Sequence, residues 1–244
     1  MNREPTIGVL AFQGDFAEHL DVLRSLNVSA IEVRALDDLA KVDGLIIPGG
    51  ESTVIARFLK ETGVGEEIVR RAGRAEKAGR AKGQKGKSAK GIINNDESGS
   101  TDPRLFDANH RPLFIYGTCA GAIVLAKEAT GKNAPKPLGL IDVTIDRNAY
   151  GTQVDSFETE ILIDRTEGKR AKRQKGKTSA ERIAVAFIRA PKITRVGKGV
   201  EILAKHKGLP VLVRQGNVLA GTFHPEVRGE RRVHEMFLRL IAGR

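Results

Sequence analysis

Cys119 is the only cysteine in this chain of 244 residues, and glycines lie two positions before it and two positions after it. The pattern Gly117-Thr118-Cys119-Ala120-Gly121 is typical of a nucleophile on a sharp turn. The apolar run 112–116 before it predicts a buried strand, and the small residues after it predict the beginning of a helix. A thiol at the positive end of a helix ionises more easily, so the pattern predicts a nucleophilic cysteine. The alternative is a buried structural cysteine.

A thiol nucleophile needs a base within hydrogen-bond reach and an acceptor that orients the base. The segment Thr222-Phe223-His224-Pro225-Glu226 follows a predicted strand and offers both. We expect His224 to be the base and Glu226 to be the acceptor, with Pro225 stiffening the turn between them. The alternative is a surface histidine near a helix cap. The other histidines have no equally suggestive acidic partner: His19, His110, His206 and His234.

The segment Pro48-Gly49-Gly50-Glu51-Ser52-Thr53 follows a third predicted strand. Glycines after a strand let backbone N–H groups approach a ligand closely. We therefore expect the N–H groups of Gly50 and Ala120 to form an oxyanion hole for the charge produced when a thiolate attacks a carbonyl. The alternative is an ordinary strand-to-helix turn with Ser52 or Thr53 as the N-cap.

Alternating strands and helices must position these motifs. The first half of the chain reads as strand, helix, strand, helix, strand, helix, with Asp15 at the N-cap of the first helix. This alternation predicts an α/β fold with three αβα layers, in which helices flank a mostly parallel sheet. We expect strands at 6–12, 28–33, 44–47, 112–116, 158–163, 183–188, 200–204, 210–214 and 218–223, and helices at 15–26, 36–41, 52–61 and 230–242.

The net charge of +11 is concentrated in two segments. Residues 70–90 carry a net charge of +8 and residues 165–182 carry +6, so the other 205 residues sum to −3. The sequence therefore predicts a single domain over 1–244 with two flexible basic insertions, at about 71–109 and at 165–182. Neither segment contains the interleaved aromatic residues that stack on bases, which disfavours nucleic-acid binding.

Composition limits the classes of protein to which this chain can belong. The single cysteine excludes an intramolecular disulfide framework and fits a reducing cytosol. The N-terminus lacks the pattern of a signal peptide, and no apolar run is long enough for a membrane helix. Scattered histidines and one cysteine do not form a metal-ligand pattern. We expect a cytoplasmic protein without a membrane anchor or a metal.

Three motifs together resemble the class I glutamine amidotransferase domain: Pro-Gly-Gly-Glu-Ser-Thr, Gly-Thr-Cys-Ala-Gly and Phe-His-Pro-Glu, in that order. Four further stretches resemble one branch of it, the glutaminase subunits of pyridoxal 5′-phosphate synthase (the PdxT/SNO family). They are 7–14, 147–151, 153–158 and 187–191. The resemblance covers nearly the whole chain outside the two basic segments.

The resemblance implies hydrolysis of L-glutamine to L-glutamate and ammonia by a triad of Cys119, His224 and Glu226. It also implies that the substrate is bound by residues spread along the chain: Gly50, Glu51, Ser52, Arg147, Ile188 and Arg189. An arginine fork suits the α-carboxylate because it can bind both oxygens. Gln13 and Gly49 are expected beside the oxyanion.

The resemblance further implies a partner, the (β/α)8-barrel synthase subunit that receives the ammonia, and no cofactor in the glutaminase itself. Two other hypotheses remain at this point. One is a glutaminase subunit of another amidotransferase, such as imidazole glycerol phosphate synthase. The other is a polyanion- or RNA-binding protein that acts through the basic segments.

Overall fold

The computed structural model describes residues 4–83, 112–147, 156–164 and 180–243. Its strands are β1 (Ile7–Leu10), β2 (Ala30–Val33), β3 (Gly44–Ile47), β4 (Phe114–Thr118), β5 (Ala126–Thr130), β6 (Ile141–Asp146), β7 (Phe157–Asp164), β8 (Ala180–Phe187), β9 (Lys192–Val196), β10 (Glu201–His206), β11 (Leu209–Gln215) and β12 (Val218–Gly221). Its helices are α1 (Phe16–Ser25), α2 (Leu36–Leu39), α3 (Ser52–Glu61), α4 (Val64–Gly83), α5 (Ala120–Leu125) and α6 (Arg232–Ala242), with a 3₁₀ turn at Glu226–Arg228.

A nine-stranded sheet forms the centre of the molecule, in the order β2-β1-β3-β4-β12-β11-β10-β7-β8. The first five of these strands are parallel, and the last four pair antiparallel. The α/β prediction is confirmed, but parallel pairing covers only half of the sheet. Short turns between β10 and β11 and between β11 and β12 force these neighbours to pair antiparallel.

Helices cover both faces of this sheet and produce the predicted three layers. On one face, α1 and α6 bury Leu23, Phe237 and Ile241 against the sheet. On the other face, α3, α4 and α5 bury Ile55 and other apolar side chains in a second cluster. The strands of the parallel half are continuous apolar runs because both of their faces are buried.

A separate three-stranded sheet, β5-β6-β9, packs into the core on the side of α3, α4 and α5. The helix predicted after Cys119 is short: it ends at Leu125, and strand β5 begins immediately afterwards at Ala126. β6 ends at Asp146, which places Arg147 at the edge of this small sheet.

Helix α4 corrects the predicted start of the first basic insertion at residue 71. The helix runs to Gly83, and Arg71 is fully buried and donates to the carbonyl oxygens of Leu39 and Val42 at 2.6 and 2.7 Å. The segment lacks an apolar period, but its Ala, Glu, Lys and Arg residues have high helix propensity. The rest of this predicted insertion, residues 84–109, lies outside the described residues.

The second basic segment is also shorter than predicted. β7 and β8 pair as an antiparallel hairpin from Phe157↔Phe187 to Asp164↔Ala180, so 180–182 belong to a strand. The predicted position at a hairpin tip is consistent with this pairing, and residues 165–179 lie outside the described residues. Among the described helices, none has the length and hydropathy needed to cross a membrane.

Candidate active site

Four parallel strands, β1, β3, β4 and β12, end at the same edge of the sheet, where ligands bind in open α/β folds. Gln13-Gly14-Asp15 lies just beyond β1, and Gly49-Gly50 lies just beyond β3. Cys119 comes directly after β4, and His224 comes three residues after β12. Strand order therefore brings together motifs that are separated by up to about 210 residues in the sequence.

Cys119 lies on a sharp strand-to-helix turn. Its φ of 48° and ψ of −105° are unusual for a residue with a side chain. Its N–H donates to the carbonyl oxygen of Gly221 at 2.8 Å, which fixes the turn to β12. A Cβ on Gly121 would collide with the carbonyl oxygen of Ile47, so only glycine allows α5 to approach β3 this closely. The predicted turn is present at the predicted position.

His224 and Glu226 form the predicted pair. The distance between His224 Nδ1 and Glu226 Oε1 is 2.7 Å, and both side chains are buried. The backbone of His224 is held by two hydrogen bonds with Ala186, of 2.8 and 3.2 Å. Because Nδ1 contacts the carboxylate, Nε2 is the ring nitrogen that remains for the thiol of Cys119, whose proximity helps to raise the pKa of His224.

The surroundings of His224 favour the imidazolium. Burial alone lowers the pKa of His224, but hydrogen bonds with Asp15, Cys119 and Glu226 outweigh that effect and raise the pKa well above its usual range. Burial raises the pKa of Glu226, and its hydrogen bond with His224 opposes that shift. The arrangement can therefore hold a protonated imidazole between a thiol and a carboxylate.

Two further histidines lie behind Glu226. His19 and His234 are fully buried, and His19 Nδ1 is 2.8 Å from His234 Nε2. His19 Nε2 is 3.1 Å from Thr118 Oγ1 and 3.6 Å from Glu226 Oε1. Burial lowers the pKa of both histidines, to about 4 for His234. Both rings are therefore neutral at pH 7.

The glycine loop after β3 lies against the triad. The φ of Gly50 is 134°, a conformation that favours glycine. Gln13 Nε2 donates to the carbonyl oxygen of Glu51 at 2.8 Å, and the Gln13 side chain lies beside Gly50. Ala120 is the first residue of α5, where helix N–H groups have no acceptor within the helix.

Two predicted substrate-binding residues contact each other. Arg147 Nη2 is 2.6 Å from Glu51 Oε1, and Arg147 Nη1 donates to the carbonyl oxygen of Asn133, also at 2.6 Å. Glu51 Oε1 also accepts from the N–H of Thr53, so Glu51 is the N-cap of α3 and neither Ser52 nor Thr53 has that position. The Oγ of Ser52 is buried and has no hydrogen-bond partner among the described residues.

The loop after β8 carries the last two predicted binding residues. The carbonyl oxygen of Ile188 is 3.9 Å from Cys119 Sγ, and the side chain of Ile188 is exposed. Arg189 follows in the chain, is exposed and has a φ of 43°. The bridge between Ala186 and His224 holds this loop beside the triad.

Asp15, His224 and Glu226 are a group of described residues whose ligand atoms lie within 4.8 Å of one another, as a metal site would require. Hydrogen bonds centred on His224 Nδ1 account for this proximity. A cation would have to displace the proton that the two carboxylates share.

Sequence reasoning missed three neighbours of the triad: Asp15, His19 and His234. Asp15 was expected to cap α1, but its side chain makes no capping hydrogen bond, and its Oδ2 is 3.1 Å from His224 Nδ1. One signal could have found it, because Asp15 follows a parallel strand at the same edge as Cys119. No sequence signal pairs His19 with His234.

Comparisons with known proteins agree with this geometry. The family model of the SNO glutamine amidotransferase family matches residues 9–81 and 90–242. The pyridoxal 5′-phosphate synthase subunit PdxT of Pseudothermotoga lettingae is 39% identical over 96% of this chain and 95% of its own. The same subunit of Mycolicibacterium vanbaalenii is 41% identical, with 96% of each chain covered.

A crystal structure described as a glutamine amidotransferase superposes with a TM-score of 0.70. Its sequence is 37% identical, and the match covers 97% of this chain and 98% of that one. The family match, the level of identity and the near-complete coverage lead to one conclusion: the chain belongs to the SNO glutamine amidotransferase family.

Proposed function

We propose that this glutaminase subunit of pyridoxal 5′-phosphate synthase hydrolyses L-glutamine with a triad of Cys119, His224 and Glu226. The observation that carries the proposal is the 2.7 Å contact between His224 and Glu226 beside a cysteine on a sharp turn. That order of nucleophile, base and orienting carboxylate is the arrangement that acyl transfer requires.

The first half of the reaction makes a thioester. The Cys119 thiolate attacks the side-chain carboxamide carbon of glutamine, and N–H groups of Gly50 and Ala120 bind the resulting oxyanion. The C–N bond then breaks. His224 donates a proton from Nε2 to the departing nitrogen, which leaves as ammonia.

The second half releases glutamate. His224, now neutral, takes a proton from water, and the hydroxide attacks the thioester carbon. The C–S bond breaks, glutamate leaves, and the thiolate and imidazolium are restored. Glu226 keeps Nδ1 protonated through both halves, so Nε2 always faces the sulfur.

The substrate's α-amino acid end fits the pair formed by Glu51 and Arg147. A carboxylate and a guanidinium held side by side offer one partner for the α-ammonium group and one for the α-carboxylate. Ser52 at the start of α3 completes the proposed binding set together with Ile188 and Arg189 in the loop after β8. Gln13 holds the glycine loop.

The ammonia passes directly to the barrel subunit of the synthase, which consumes it. Direct transfer is needed because ammonia released into solution would be lost to the reaction. We expect the complex to act in the cytoplasm. The proposed glutaminase needs no metal or organic cofactor, since thiol, imidazole and backbone N–H groups supply every step.

The test is replacement of the nucleophile in the complex with the synthase subunit. Cys119→Ala should reduce glutamate release by at least about 10⁴-fold, because no other side chain can form the thioester. The synthase should still form pyridoxal 5′-phosphate when ammonium salts replace glutamine. Retained glutamine hydrolysis in Cys119→Ala would contradict the proposal, and Asp21→Asn on the exposed face of α1 is the control.

A further inference from the structure

Asp15 occupies a capping position without capping a helix. It precedes α1, and an aspartate there usually accepts a hydrogen bond from an N–H of the first turn, which stabilises a helix by about 1 kcal/mol. Its side chain makes no such bond. Instead, Asp15 Oδ2 lies 3.1 Å from His224 Nδ1. The carboxylate is directed toward the triad rather than toward its own helix.

His224 Nδ1 therefore faces two carboxylates. Glu226 Oε1 is 2.7 Å away and fully buried, whereas the Asp15 side chain is 34% exposed. Two negative charges on one N–H stabilise the imidazolium more than one charge does.

Gly49 makes room for the second carboxylate. A Cβ at this position would lie 2.8 Å from Asp15 Oδ2 and would collide with His224 Cε1. The absence of a side chain at Gly49 allows the loop after β1, the loop after β3 and the imidazole to meet. The contact between Asp15 and His224 is thus supported by two loops as well as by the triad.

We propose that Asp15 is a positioning residue of the glutaminase: together with Glu226 it holds His224 as the imidazolium that keeps Cys119 a thiolate. This inference rests on the proposed function of the triad. Glu226 alone does not fill this role, because burial makes its negative charge costly to maintain. Asp15 is partly exposed, so its negative charge is easier to maintain.

The titratable groups around His224 come from several elements. Cys119 faces it from the turn before α5, Asp15 from the loop after β1, and Glu226 from its own turn. Behind Glu226 lie the neutral side chains of His19 and His234 from α1 and α6, and Tyr116 from β4. The hydrogen bond from His224 lowers the pKa of Asp15, so Asp15 is ionised throughout the neutral range.

The experiment measures the thiolate directly. Cys119 is the only cysteine, so the rate of alkylation of the full chain by iodoacetamide between pH 5 and 9 reports its ionisation. Asp15→Asn removes the charge and keeps a residue that favours the N-cap position. The midpoint of the alkylation profile should rise by about one pH unit, and the rate at any pH below both midpoints should fall about tenfold.

Turnover gives a second readout in the complex with the synthase subunit. Asp15→Asn should lower kcat for glutamine about tenfold and leave KM within about twofold, because Asp15 acts through His224 and not on the substrate. Asp15→Ser, which also favours the N-cap position, should behave in the same way. The matched control is Asp21→Asn, also on α1, whose carboxylate pairs with Arg24 in solvent.

An alkylation profile for both Asp15 variants that matches the wild type would overturn the inference. So would faster turnover, because it would mean that Asp15 draws His224 away from Cys119. In either case the Cys119→Ala result is independent: loss of hydrolysis there would leave the proposed triad in place and refute only the role of Asp15.

Discussion

At the scale of one residue, the backbone of Cys119 shows how the structure presents the proposed nucleophile. A positive φ costs a non-glycine residue about 1 kcal/mol or more, and such conformations persist only where the surroundings enforce them. Here the hydrogen bond to Gly221 and the glycine at 121 enforce it. The strained turn brings the sulfur to the edge of the sheet where His224 lies.

Gly49→Ala tests how closely this edge is packed. The new methyl group would collide with His224 Cε1, so the imidazole must shift away from Cys119. We expect kcat for glutamine to fall by about 10²-fold, since loss of alignment in a catalytic pair has effects of this size. Steady-state hydrolysis in the complex is the measurement.

Gly73→Ala is the matched control for this substitution. Gly73 is exposed on α4, and a Cβ there would meet nothing within 4 Å. This variant should keep full activity and gain up to about 1 kcal/mol of stability, because alanine favours a helix. Equal activity in Gly49→Ala and the wild type would show that the loop can move away from His224.

At the scale of elements, α1 and α6 each contribute a buried histidine. Two imidazoles can be buried here because one donates a hydrogen bond to the other and both stay neutral. Their contact ties the first helix to the last one beneath Glu226.

Acid should weaken the fold through this pair. In the unfolded chain each histidine takes a proton near pH 6.5, whereas burial lowers the pKa of folded His234 to about 4. The unfolded state therefore binds more protons between these values. Stability is complete above about pH 6.5 and falls by about 1.4 kcal/mol per pH unit and per histidine as the pH drops toward 4.

Urea unfolding of the wild type at pH 6.5 and 5.5 measures this slope, and His234→Gln should make it shallower. The raised pKa of His224 makes stability fall as the pH rises, and it does so only above about pH 6.5. It therefore does not affect the slope between about pH 4 and 6.5. An identical slope in His234→Gln would contradict the assignment of the acid effect to this pair.

The elements also show where periodicity fails as a guide. The strands that carry the site are short apolar runs between glycines, and they lie close to their predicted places. Helix α4 was not predicted at all, and its later turns have no apolar stripe, although the composition favours a helix. The alternative that Ser52 or Thr53 caps α3 is wrong, because Glu51 precedes the helix and accepts a hydrogen bond from the N–H of Thr53.

For the whole molecule, the edge that carries the proposed triad belongs to the parallel half of the sheet. The antiparallel half, β11-β10-β7-β8, supplies the loop with Ile188 and the bridge that supports His224. The hairpin of β7 and β8 extends away from that bridge toward Asp164 and Ala180.

Shortening this hairpin tests the second predicted insertion. Asp164 and Ala180 are direct partners in the antiparallel register, so an Asn-Gly turn can replace residues 165–179 without changing the pairing. We expect glutamine hydrolysis in the complex to stay within about twofold of the wild type, since the triad contacts only the other end of β8.

Activity and synthase binding should be measured together for this variant. Loss of hydrolysis with normal synthase binding would mean that the segment contributes to the glutaminase site. Loss of binding would make the segment part of the interface. The first outcome would contradict the prediction that the segment is an insertion outside the glutaminase site.

The sequence by itself predicted the chemistry from three patterns: a lone cysteine between glycines, a histidine two residues before a glutamate, and a glycine pair after a strand. These are local patterns, so the backbone turns that they require can be recognised without a structure. Only the tertiary structure decided that Asp15 faces His224, that His19 and His234 lie behind Glu226, and that Glu51 pairs with Arg147. Those contacts join residues that are 96 to 215 positions apart, and they depend on which strands are neighbours in the sheet.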